Sequence, residues 1–240
     1  MKMIALLVAG ILGFAMFAGE ENAPTPPDQY TVFQLGFVFN QPNSIVNSNV
    51  YGVKSGWPIV NGLGRVYGLE ASWLYSGTAY IKGVQASWCV NENRTIKGVQ
   101  AAFAVNVNHE EAQGLQAAFA VNVAGDFQGV QAGAVSVARD YEGIQLAAAV
   151  NYAEKFTGIQ SAVLWSWADD FEGIQLTGVI NRAADLTGLQ IGIINQVNTC
   201  KGLQFGILNI ADGDRSFQIG LLNIVKNGPV PFMLIANCAF

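Results

Sequence analysis

The side chains that could do chemistry are few and regularly placed. Glutamine recurs at Gln85, Gln100, Gln116, Gln131, Gln145, Gln160, Gln175, Gln190, Gln204 and Gln218. Each stands two residues after a glycine, or after Ser216 in the last copy. Such a column has two uses. Its amides can satisfy one another on a shielded face, or they can form a polar lining for a pore or for a neutral ligand such as a carbohydrate. The single histidine, His109, is followed by Glu110 and Glu111 and could bind a cation weakly, but it reads as a solvated turn. Cys89, Cys200 and Cys238 are widely spaced, without a Cys-x-x-Cys pair, and read as small apolar fillers. One disulfide is open to them in an oxidising compartment, with no preferred pairing. The chain has no Gly-x-Ser-x-Gly elbow and no phosphate loop. Neither catalysis, a metal nor a cofactor is expected.

What must position the glutamines is a repeat. Gly followed by Val, Leu or Ile and then usually Gln returns every 14 to 16 residues from Gly83 to Gly202. Looser copies start at Gly52 and Gly68, with Lys54 and Glu70 in the glutamine position, and Phe33-Gln34-Leu35-Gly36 matches the motif's core. Inside a copy the period is two. Val99, Ala101, Phe103, Val105 and Val107 alternate with Gln100, Ala102, Ala104, Asn106 and Asn108. Each copy is therefore β-structure with one oily face and one small or polar face. A unit this short cannot bury its own apolar surface, so the copies must stack or pair.

Two architectures fit. In a β-solenoid with 14–16-residue coils each copy is one coil, and the glutamines stack. In an antiparallel up-and-down meander each copy is one strand, and the charged breaks, such as Asp169-Asp170, are hairpin turns. Nine or ten alternating residues span roughly 30 Å when straight, and a 15-residue coil leaves too few residues to return that distance. Strand length thus favours the meander, closing into an outer-membrane-type barrel of about 14 strands. Phe232 to Phe240, alternating and ending in an aromatic residue, resembles the C-terminal strand signal of such barrels. On this reading outer-membrane lipid and the barrel-assembly machinery are the partners. Against it stand an inward face almost without charge and an asparagine that arrives one residue early in the last copies, which would require a bulge (Asn195).

The ends and the composition suggest export. Lys2 followed by the apolar run Ile4 to Phe17 reads as a signal peptide over residues 1–18, cleaved after Ala15 or Ala18. A retained membrane anchor is the alternative. Residues 19–29, with Pro24, Pro26 and Pro27, form an extended leader, and residues 30–240 form a single β-repeat domain. The chain is 51% hydrophobic but only 12% charged, with a net charge of −5 and no basic run, which argues against nucleic acid.

Copies such as Gly188-Leu189-Gln190-Ile191-Gly192-Ile193-Ile194-Asn195 and the ending from Asn227 to Phe240 resemble the surface repeat-containing proteins of Leptospira and other bacteria with outer membranes. The likeness covers roughly residues 30 to 240 and is most specific in the last third. The middle, Ala-rich copies lack the group's glycine at the fourth position after the motif glycine. Membership implies a surface or outer-membrane setting and no catalytic residues. The expected function is a structural or pore-like envelope protein; the alternative is a secreted or surface-exposed solenoid acting as an adhesin or ligand-binding protein. No particular ligand follows from either.

Overall fold

In a computed structural model the chain is a parallel β-solenoid of about 12 turns, built almost wholly of strands. The structure describes residues 30–38, 48–213 and 215–238, so the signal peptide, the leader and Phe240 lie outside the described residues. Coils stack in register, glycine on glycine. Gly52 pairs with Gly68, Gly83 with Gly98, and Gly158 with Gly173 and then Gly188. Coil 1 is counted here from Gly52 and coil 12 from Ser216. The strand Tyr30–Gly36 adds a partial coil ahead of these, placing Gln34 beside Lys54. Phe232–Cys238 closes the other end by pairing antiparallel with Ser216–Val225, the one antiparallel contact among the described strands.

The antiparallel barrel, with its membrane-spanning strands, is thus overturned, and the physical reason is a bend. Thr95–Ala102 ends at a corner formed by Phe103 and Ala104, and Val105–Asn108 follows in a new direction. Alternation survives the corner, because Gln100, Asn106 and Asn108 all remain buried while Phe103 points out. Period two reports which side a residue faces, not whether the strand is straight. Two short strands replace one long one, and the coil then closes within its 16 residues.

Backbone pairing goes to the next coil even at the corner. The Phe103 N–H donates to the Trp88 carbonyl at 3.1 Å, and that of Phe119 to Phe103 at 3.1 Å. The charged breaks are not hairpins either, since Asp169 and Asp170 lie inside the strand Trp165–Thr177. Phe232 sits in the terminal strand with its side chain exposed.

The early asparagine also has a simple cause. Asn195 follows its motif glycine by seven residues and Asn181 follows its own by eight, yet the two are register partners. Coils of 14 residues have lost one residue at the corner, so no bulge is needed. They carry glycine four residues after the motif glycine, whereas longer coils carry Ala102 or Ala147 there. A Cβ at Gly206 would lie 2.5 Å from the Asn195 amide nitrogen, so the tight corner has no space for a side chain.

The motif glycine is required for a second reason. At Gly158 φ is +132°, and an added Cβ would fall 2.1 Å from the Gly143 carbonyl oxygen. Backbone packs directly on backbone along this column.

Candidate functional site

The interior has an amide half and an apolar half. In the amide half, the ten glutamines form one continuous ladder. Each Nε2 from Gln100 to Gln218 donates to the Oε1 of the glutamine one coil earlier, at 2.6–3.0 Å. All ten are at most 1% exposed. They therefore meet one another, and of the ten only Gln218, in the last coil, has an amide oxygen without a partner.

Asparagines form a second ladder of opposite sense. Asn181 donates to Asn195, Asn195 to Asn209 and Asn209 to Asn223, each at 2.8 Å and each toward the later coil. The two columns of amide dipoles run against each other, which limits the net field that each would create alone in a low-dielectric core.

A chain of donors pointing toward the N-terminus needs an acceptor at its end, and Glu70 supplies it. The Gln85 Nε2 donates to Glu70 Oε1 at 2.9 Å, and the Thr78 hydroxyl donates to Glu70 Oε2. Lys54 completes the end. Its Nζ donates to Thr78 Oγ1 at 2.8 Å and lies 3.9 Å from Glu70 Oε2, with both charged side chains fully buried. Burial lowers the Lys54 ammonium's pKa below its ordinary value, while the Glu70 carboxylate acts in the opposite direction. The lysine and glutamate in the glutamine positions of the loose copies thus mark a buried ion pair that continues the ladder.

A second polar cluster was not legible as such. The Tyr75 hydroxyl donates to Glu92 Oε2 at 2.7 Å, and His109 Nε2 lies 2.8 Å from Glu92 Oε1. Burial, and then the charge of Glu92, push the Tyr75 phenol well above its usual range. His109 therefore faces Glu92 from the coil below and is not simply a solvated turn residue beside Glu110 and Glu111. Among the described residues no group of three or more His, Cys, Asp or Glu could hold a metal ion. Cys200 fills a buried place in the apolar half, and no disulfide joins Cys89, Cys200 and Cys238.

The apolar half is a column of Val66, Ile81, Ile96, then Phe127, Tyr141, Phe156 and Phe171, with small residues such as Ala153 and Ala168 beside it. Its rings stack at 5.0–5.2 Å between centroids.

With amides inside, the oily side of the alternation is outside. It forms three columns, at the first, third and fifth positions after the motif glycine. The first is branched and aliphatic for most of its length, as in Val84, Leu115, Ile144 and Ile174, each about two-fifths exposed. The third holds Ala101 and Leu176, among others. The fifth stands at the corner as a rim, beginning with Trp57, Trp73, Trp88, Phe103 and Phe119, which are 50–73% exposed. No charged residue occupies any of these columns from Gly52 to Leu221. The rim rings turn their faces on one another, with interplanar angles of 6° for Trp88–Phe103 and 3° for Phe103–Phe119. They offer edges to a partner, which does not suit stacking on sugar rings.

Charge begins at the border of these columns, one residue before the motif glycine, where Lys82, Lys97, Glu142, Glu172 and Lys201 are exposed. Glu111, Asp126, Asp140, Glu142, Lys97 and Lys155 border a shallow open groove of about 600 Å³, where Arg139 pairs with Asp126 at 2.5 Å in full view of solvent. Compared with known protein families, curated proteins and solved structures, the chain matches none. The outer apolar face is the feature of the fold that the internal packing leaves without a partner.

Proposed function

We propose that this chain is an exported, non-catalytic β-solenoid that works as a surface-exposed interaction protein, docking through its uncharged outer face. One observation carries the reading. A three-column uncharged face, apolar except for Ser55 and Ser161, runs the length of the solenoid, bordered by exposed charges such as Lys97 and Glu172 in the column just before the motif glycine. Exposed apolar surface of this extent marks an interaction site on soluble proteins. The signal-like N-terminus and the resemblance to surface repeat-containing proteins support a location at the cell surface. The buried glutamines belong to the scaffold, and they give the face its regular coil spacing.

The test places a charge at the centre of the face. The particle mass of the purified protein is measured alone, with phospholipid vesicles and with isolated bacterial envelopes, beside the variant Leu176→Lys. The parent is expected to enter a complex in at least one of the three, and the variant, with an unchanged circular dichroism spectrum, in none. A parent that stays alone throughout, or a complex that Leu176→Lys leaves intact, would sink the proposal.

A further inference from the structure

Resting on the reading of the outer face as a docking surface, we propose that its occupant is a second copy of this chain, packed face to face with the two solenoid axes antiparallel.

The area is sufficient. About 12 coils stacked at ~4.8 Å, each crossed by roughly five residues at ~3.3 Å, give a face of about 55 Å by 16 Å. That is roughly 900 Å² per copy, against about 800 Å² per partner in a stable, specific interface. Two sheets meeting this way would lie about 10 Å apart, with side chains interdigitating.

The distribution of side-chain size decides the orientation. In coils 2 to 6 the middle column is small: Ala71, Ala86, Ala101, Ala117 and Ala132. In coils 9 to 12 it is large: Leu176, Ile191, Phe205 and Ile219. The rim column has the opposite trend at its centre, with Phe103 and Phe119 in coils 4 and 5 but Val163 and Gly178 in coils 8 and 9.

A two-fold axis parallel to the strands turns one copy end for end and sets each column against itself. Coil 2 then meets coil 11, and coil 4 meets coil 9. In the middle column Ala71 faces Phe205, Ala86 faces Ile191 and Ala101 faces Leu176, small against large. In the rim Phe103 faces Gly178, while Trp57, Trp73 and Trp88 meet Leu221, Ile207 and Ile193. A two-fold axis along the solenoid instead sets each coil against its own copy. Ala101 would then face Ala101 across a trough while Leu176 crowded Leu176. Only the end-for-end arrangement lets one uneven face fill another, and the absence of charge removes any like-charge penalty between identical surfaces.

The experiment uses the full chain with Cys89→Ser, Cys200→Ala and Cys238→Ser as background. Ala101→Cys and Leu176→Cys are introduced together and singly. Within one chain these positions are five coils apart, about 24 Å at ~4.8 Å per coil, beyond the reach of a short bis-maleimide. Facing sheets ~10 Å apart lie within its reach but too far for a direct disulfide, whose Cα limit is ~7 Å. Sedimentation is expected to show a dimer, and short bis-maleimide treatment of the double variant a covalent dimer, with none from Ala101→Cys alone. Leu176→Lys should raise the dimer dissociation constant at least ~100-fold without changing the circular dichroism spectrum.

Cross-linking of Ala101→Cys to itself, or a dimer indifferent to Leu176→Lys, would overturn the arrangement. A monomer at every concentration would overturn the second copy. If that monomer still binds vesicles or envelopes and loses them with Leu176→Lys, the docking surface stands with another occupant. If it binds nothing, both readings fall.

Discussion

Coils 1 to 5 and coils 5 to 8 stack aromatic rings with nearly the same geometry on opposite sides of the wall. Trp88, Phe103 and Phe119 stand outside at 4.9 and 5.3 Å; Phe127, Tyr141, Phe156 and Phe171 stand inside at 5.2, 5.0 and 5.1 Å. In the coils of Trp73, Trp88 and Phe103 the inner column holds smaller residues, Ile81, Ile96 and Ala112. Ring spacing is therefore set by the rise of the coil and not by the rings. What differs is water. The inner rings are 2–4% exposed and the outer ones at least 50%, so equal stacks contribute unequally to stability and only the outer one is available to a partner. The ladder differs along its length in charge, not in exposure. Early coils fill it with a buried ion pair, later coils with neutral amides.

The largest expected effect is one the two halves share. Gly83→Val and Gly158→Val force a side chain into a backbone conformation at φ +142° and +132° and onto the preceding carbonyl. Each should cost about 4–6 kcal/mol, combining conformational strain with overpacking, as measured by urea unfolding. Asp169→Asn, on the solvated side, should stay within about 0.5 kcal/mol. A Gly158→Val protein as stable as Asp169→Asn would contradict the glycine-on-glycine column.

Next is the ion pair. Lys54→Met strands the Glu70 carboxylate in the core and should destabilise by about 3–5 kcal/mol. The double change Lys54→Gln with Glu70→Gln extends the amide ladder through the early coils and should be neutral or stabilising, by up to about 4 kcal/mol. Equal losses in the single and double variants would show that the early coils need the charges themselves.

Ring truncation sharpens the contrast between inside and outside. Phe156→Ala should cost about 3–5 kcal/mol through its cavity, and Phe103→Ala only about 0.5–1.5 kcal/mol from the lost stack. Similar values for the two in the dissociated protein would mean that the outer face is not exposed as described. A moderate effect belongs to the ladder's interior. Gln160→Leu leaves Gln145 Oε1 without its donor and Gln175 Nε2 without its glutamine acceptor, for a loss of about 1–3 kcal/mol. Gln160→Glu supplies an acceptor but no donor and buries a charge, so it should be worse than Gln160→Leu.

Much of this was legible along the chain. The recurrence from Gly83 to Gly202, the period of two and the single-file glutamines together require all-β structure with repeated units in contact. Side assignment was legible too, because Gln100 and Asn106 fall in one phase and Val99 and Phe103 in the other. Lys54 and Glu70, opposite charges in consecutive ladder positions, were a readable sign of an ion pair. Nothing in the local pattern linked Tyr75, Glu92 and His109, which lie 17 residues apart in each step and in no common phase of the repeat.

By itself, then, the sequence determined that strands form, where each repeat begins and which side of the strand each residue takes, since these follow from local sterics and a two-residue period. Only the tertiary structure decided that the copies stack parallel as bent coils and do not pair as straight antiparallel strands. Alternation is the same for both, and the choice depends on long-range terms that no single copy contains. These are the amide ladders closed from coil to coil, the carbonyl packed under Gly158, and the corner at Phe103 and Ala104 that turns one apparent strand into two.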